Sequence, residues 1–185
     1  MKIKPSSTKG NVTVEIGKND EALMAASSPK TAALPIRTIL APVDFSEFSY
    51  KSLDYATAFA KQSSAEVILL HVVPLNYVDT DLIAFDYTQL SKEAAASSKN
   101  KLDSLVRERV GSGIPCRTEV RVGRAVEEIL NLAMEADADL IIMSTHGYTG
   151  LKHAFLGSTT ENVVRYSPCP VLTLRQGEHD FVPNK

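Results

Sequence analysis

Leu140-Ile141-Ile142-Met143, running on into Ser144-Thr145-His146-Gly147, is the stretch that decides the fold. Its apolar part is strand-sized and has no polar residue every second position, so it reads as a strand buried on both faces. Val67-Ile68-Leu69-Leu70 repeats the pattern. On either side, runs of β-branched and aliphatic residues at 36–42, 66–73, 116–122, 139–144 and 170–175 predict strands. Between them, 47–63, 88–111, 124–136 and 158–166 carry apolar residues at helical spacing. Strand and helix in alternation, with strands covered on both sides, predict an α/β fold: a single doubly wound five-stranded parallel sheet with helices on both faces. In such sheets the ligand crevice lies outside the carboxyl ends of the strands, so functional residues should follow strands and not precede them.

The chain of 185 residues is long enough for one such domain and an extension. Residues 1–35, rich in Ser, Thr, Ala and Lys, read as an N-terminal extension. Within it Val12-Thr13-Val14-Glu15-Ile16 alternates as a half-buried edge strand would, but composition favours a flexible arm. The domain is expected over 36–176, with 177–185 as a C-terminal tail.

Lys and Arg are scattered among Asp and Glu, and the formal charge is −2, so no basic footprint invites nucleic acid. Cys116 and Cys169 stand far apart with no further ligand at metal spacing. That argues against a disulfide framework or a zinc site and for the reducing cytoplasm. The longest apolar run, Val67 to Val73, is strand-sized, far from the roughly 20 residues of a membrane span. Met1 to Gly10 lead into polar Asn11, Thr13 and Glu15 where a secretion signal would have its apolar core.

Three segments meet the strand-end rule: Asp44 after the first strand, Ser144 to Gly150 after the fourth, and Gly157-Ser158 opening a helix. Asp137 and Asp139 precede the fourth strand, so they read as a helix stop and turn rather than as a metal-holding pair. Ser144-Thr145-His146-Gly147, nine further residues, then Gly157-Ser158-Thr159 has the parts of a phosphate cradle: glycines that admit close backbone approach and a helix N-terminus. Ser158-Thr159-Thr160-Glu161 is also a capping box that satisfies the helix end alone, and spacing leaves the two readings even. Asp44 to Glu47 has a capping alternative of the same kind. His146 is assigned a positioning or packing role, since no nucleophile with an orienting acid accompanies it. His71, His153 and Lys152 are weaker candidates, and Cys169 between two prolines reads as an inert thiol.

Taken together, Ile39-Leu40-Ala41-Pro42-Val43-Asp44-Phe45-Ser46, Val67-Ile68-Leu69-Leu70-His71-Val72, Asp139 to Gly147, and Leu156-Gly157-Ser158 through Pro168-Cys169-Pro170-Val171 resemble the universal stress protein (UspA) family, ATP-binding type. The resemblance implies a Rossmann-like, adenine nucleotide α-hydrolase-like sheet of strand order 3-2-1-4-5. It implies a nucleotide, ATP or else ADP or AMP, with phosphates on Gly147, Gly157, Ser158 and Thr159. Pro42 and Asp44 would lie on the sugar side, the Val72 backbone would pair with the adenine edge, and Val43, Met143, Ser144 and His146 would complete the site. Magnesium would enter only with the nucleotide, at Asp44. The family pattern is Gly, two residues, Gly, nine residues, then Gly with Ser or Thr; here Ser144 replaces the first glycine. The last strand, Val171-Leu172-Thr173-Leu174, would pair antiparallel with a second copy. The expected role is a nucleotide-dependent regulator. The alternatives are a nucleotide-free dimeric scaffold or a slow ATP hydrolase, fast phosphoryl transfer being disfavoured by the lack of a Gly-x4-Gly-Lys-Ser/Thr loop.

Overall fold

The computed structural model describes residues 2–5, 12–15, 35–74, 84–145, 157–175 and 179–182. The chain divides into two units, Met1–Ala33 and Leu34–Lys185. In the first, β1 (Lys2–Pro5) pairs antiparallel with β2 (Val12–Glu15), Lys2 opposite Glu15 and Pro5 opposite Val12. The alternation at Val12–Glu15 is therefore a strand, and the partner it needed was the preceding lysine-containing segment.

The second unit holds β3 (Thr38–Pro42), α1 (Glu47–Ser63), β4 (Glu66–Pro74), α2 (Ala84–Leu105), β5 (Cys116–Gly123), α3 (Ala125–Glu135), β6 (Leu140–Ser144), α4 (Ser158–Tyr166) and β7 (Val171–Leu174). Its strands form one parallel sheet in the order β5-β4-β3-β6-β7, which is the expected 3-2-1-4-5. Alternate residues of each central strand serve opposite cores. Ile39, Val67, Leu69 and Ile142 pack with Leu53, Ala56 and Leu102 of α1 and α2. Leu40, Ile68, Leu70 and Ile141 pack with Ile129, Leu132 and Val163 of α3 and α4. Complete burial of both sets is why the strands lack a polar stripe.

Local chemistry fixes the ends. The Ser46 side chain caps α1 by accepting from Ser49 N, and Ser64 closes it in the left-handed conformation at φ 60°. The end of α2 departs from a simple helix: Val106–Val110 forms a π turn that closes with Gly111 N donating to Val106 O. Arg109 on this turn pairs with Asp54 at 2.9 Å and sits 4.9 Å from the Tyr50 ring centroid, which ties α2 to α1.

At the amino edge of the sheet, Asp137 takes a left-handed conformation that ends α3, as its turn reading requires. Asp139 does more: its Oδ2 accepts from Arg37 N and Thr38 N at 2.7 and 2.9 Å, locking the start of β3 to β6. These two donors hold its carboxyl below the ordinary aspartate range. Part of the expected tail is also built into the domain. Asp180 pairs with Lys51 at 2.7 Å and accepts from the Tyr55 hydroxyl at 3.0 Å, while Phe181 meets Tyr55 edge-on at 5.0 Å.

Candidate functional site

Because all five strands run the same way, their carboxyl ends open on one edge, and a cavity of about 550 Å³ lies there. It lies at the ends of β3, β4 and β6; the strand order reverses between β3 and β6, and the helices that follow those two strands, α1 and α4, cover opposite faces of the sheet. Pro42, Val43, Asp44, Val72, Met143, Ser144, Gly157, Ser158 and Thr159 all line it. His146 and Gly147, with Lys152 and His153, lie outside the described residues.

One wall is the N-terminus of α4. Gly157 is its N-cap, and Gly157 N donates to Thr145 O at 2.9 Å. A Cβ on Gly157 would stand 2.9 Å from that same oxygen, so the backbone approach itself demands glycine; its φ of −65° is open to any residue. Glu161 N is the first amide of the helix to be met from within, by Gly157 O, so those of Ser158, Thr159 and Thr160 lack an intrahelical acceptor. The capping-box alternative does not hold here. Ser158 is the first helical residue and not the cap, and Glu161 reaches forward to Arg165 at 3.0 Å rather than back to the helix start.

Thr160 and Thr145, which the sequence motifs include without a role of their own, stitch the wall together. Thr160 Oγ1 donates to Ser144 O at 2.8 Å, and Thr145 is tied to Leu174 O through its N–H at 2.9 Å and its hydroxyl at 3.3 Å. Both threonines are buried. Ser144 ends β6 and is not among the described non-glycine residues with positive φ, so serine in place of the family glycine carries no left-handed strain.

The opposite wall is the turn after β3. Asp44 is not the cap of α1; its Oδ1 accepts from Ser46 N at 3.0 Å and from the Ser46 hydroxyl at 2.5 Å. His71, lining the cavity, donates from Nδ1 to Val43 O at 2.8 Å, which assigns the tautomer; burial is the main cause that lowers its basicity. Val72, Leu70 and Pro74 of β4, with Ala125 and Ile129 of α3, form an apolar floor. The helical contributors escaped the sequence reading because only the α3 crossover brings them to this edge. Among the described lining residues there is no Lys or Arg, so an anion here would meet amide N–H groups, hydroxyls and a helix dipole.

Elsewhere, Cys116 is pushed up to about 11, by burial first and then by the Glu66 charge. Burial raises Cys169 as well, against the hydrogen bonds from Ser167 and at Ile141 and with the Asp139 charge. Neither thiol is a nucleophile at neutral pH.

Fold and edge together define a doubly wound α/β domain with an apolar slot beside a helix N-terminus lined by glycine and hydroxyl residues. Residues 35–175 match the model of the universal stress protein family, and the chain belongs to that family. It is 32% identical over 155 residues to universal stress protein MJ0577 of Methanocaldococcus jannaschii, covering 76% of this chain and 95% of that one. The solved structure of MJ0577 superposes with a TM-score of 0.71 at 34% identity, over 79% of this chain and all of its own. A universal stress protein solved in complex with cAMP shares the fold at a TM-score of 0.55 and 23% identity, over 76% of this chain and 98% of that one.

Proposed function

We propose that the chain binds an adenine nucleotide, ATP before ADP or AMP, in the cavity at the carboxyl edge, and acts as a nucleotide-dependent regulator rather than as a fast enzyme. The observation that carries this is the close packing of Gly157 on Thr145, which sets the uncapped first turn of α4 against a cavity of about 550 Å³. That volume is within the range of small-molecule sites. The phosphates lie on the amides and hydroxyls of Ser158 and Thr159, the sugar beside Asp44 and Pro42, and the base over Val72 and Ile129. The relative in complex with cAMP, an adenine nucleotide, supports the ligand class. Asp44 is the lining carboxylate suited to a magnesium ion carried by the phosphates.

The regulatory unit is a cytoplasmic homodimer joined through β7. Among the described strands β7 pairs only with β6, and Val171, Leu172 and Thr173 are half-exposed. The other edge, β5, carries Arg117, Glu119 and Arg121 in ion pairs, a charged rim that opposes strand addition. Exposed Val164 and Tyr166 on α4 add apolar surface on the helix that packs against β7. Sedimentation of Leu172→Asp should give monomer where the wild type gives dimer.

The binding claim is tested by denaturing the purified protein, identifying released small molecules by mass spectrometry, and titrating ATP and AMP calorimetrically with and without magnesium. Saturable binding that Gly157→Asp abolishes supports it. No heat at millimolar nucleotide defeats it and leaves the nucleotide-free dimer.

A further inference from the structure

The turn that carries Asp44 is held in a costly shape. Phe45 adopts φ 63°, a left-handed conformation that a bulky side chain disfavours. Nothing in Val43-Asp44-Phe45-Ser46 supplies the glycine such a turn ordinarily uses. The neighbouring strand supplies a restraint instead. Val43 N donates to Leu70 O at 2.8 Å, and the next residue of β4, His71, donates from Nδ1 to Val43 O at 2.8 Å. The same imidazole lies against the Phe45 ring, centroids 4.4 Å apart and tilted by 37°, while Lys101 Nζ stands 5.5 Å from that ring.

We propose that His71 is a positioning residue of the cavity: its Nδ1–H bond to the Val43 carbonyl fixes the strained turn and thereby aims the Asp44 carboxylate at the ligand. The restraint continues along the chain. Asp44 Oδ1 is held by Ser46 N and Oγ, and Ser46 Oγ accepts from Ser49 N at 3.3 Å, so the turn is pinned at β4 on one side and at α1 on the other. The ring has two separable parts in this arrangement, a donor at Nδ1 and a flat apolar face against Phe45. Only the donor reaches the main chain that sets the Asp44 direction. A carbonyl acceptor is satisfied by neutral and protonated imidazole alike, since Nδ1 carries a proton in both.

The idea rests on the nucleotide reading for its effect on affinity, and a readout without ligand keeps the two apart. Asparagine places an amide nitrogen at the Nδ1 position without the ring, and phenylalanine keeps a ring without the donor. In the ligand-free protein, amide hydrogen exchange at Ser46 should accelerate about tenfold in His71→Phe and stay within about threefold of wild type in His71→Asn. ATP titration should follow the same order, with Kd raised about tenfold in His71→Phe and restored in His71→Asn. Urea unfolding of both variants confirms that the comparison is made on folded protein. Unchanged exchange in His71→Phe, or equal acceleration in both variants, overturns the assignment, the latter because ring packing would then be what holds the turn. If the wild type fails to bind ATP, the nucleotide reading falls while Ser46 exchange still decides the role of His71.

Discussion

Replacing Gly157 by alanine adds one methyl group at the point of closest approach between α4 and the end of β6. That carbon would stand 2.9 Å from Thr145 O and 3.9 Å from Thr145 C. Thr145 has little room to retreat, being 1% exposed and tied to Leu174 O by both its amide and its hydroxyl. The helix must therefore move back by about half an ångström to restore ordinary contact, stretching the bond from Gly157 N. Overpacking against such a rigid neighbour costs about 1–3 kcal/mol. For a chain of this size Tm falls by about 2–4 °C per kcal/mol. On the proposed binding mode the amides of α4 also move away from the nucleotide phosphates, so ATP affinity should drop about tenfold. Gly113 is the control: a Cβ there meets nothing within 4 Å, and Gly113→Ala should leave Tm within about 1–2 °C of wild type. Thermal unfolding and calorimetric titration of the two variants measure both effects. Gly157→Ala with wild-type Tm and wild-type affinity would refute the claim that backbone approach sets this wall.

Asp139→Ala removes the acceptor for Arg37 N and Thr38 N at the far edge, and should cost about 1–3 kcal/mol in urea unfolding at pH 7 while leaving ATP affinity unchanged. The pH dependence has a definite sign: because the folded carboxyl titrates below its unfolded value, its contribution is full above about pH 5 and is lost as pH falls through the folded value. The gap between wild type and Asp139→Ala should therefore shrink on acidification, and a gap that widens would contradict the assignment. Phe181→Ala should lower stability by about 0.5–1.5 kcal/mol through its edge contact with Tyr55, detectable as a small fall in Tm with no change in nucleotide affinity.

The strands were legible in the sequence because each central one is buried on both faces, and Val67–Leu70 or Leu140–Met143 can be little else in an alternating α/β chain. Their observed bounds fall within two residues of the reading. The π turn at Val106–Val110 was not legible, since a one-residue widening of a helix leaves the apolar period almost intact and only the contact of Arg109 with α1 reveals its use. Asp180 and Phe181 gave no periodic signal, because their partners Lys51 and Tyr55 lie far away in the chain.

At the site, glycine spacing pointed to Gly157, and the strand-end rule pointed to Asp44. What the sequence left even was the choice between ligand cradle and capping box, which turns on where one side chain goes. Glu161 has Arg165 four residues ahead, and that pairing removes it from the helix start. Thr145 and Thr160 stand inside the quoted motifs, but their wall-building bonds were not legible for a related reason: a buried hydroxyl is structural or incidental according to which carbonyl the tertiary fold brings within reach, here Leu174 and Ser144.

Occupancy of the carboxyl edge of the sheet by an adenine nucleotide can be read out by titrating ATP into 15N-labelled protein and following amide chemical shifts. Binding there should give saturable shifts at Gly157, Ser158, Thr159, Asp44 and Val72, with the amides of Arg37, Thr38 and Asp139 at the far edge unmoved. No shift at millimolar ATP, or shifts centred on Asp137 to Asp139, would contradict it.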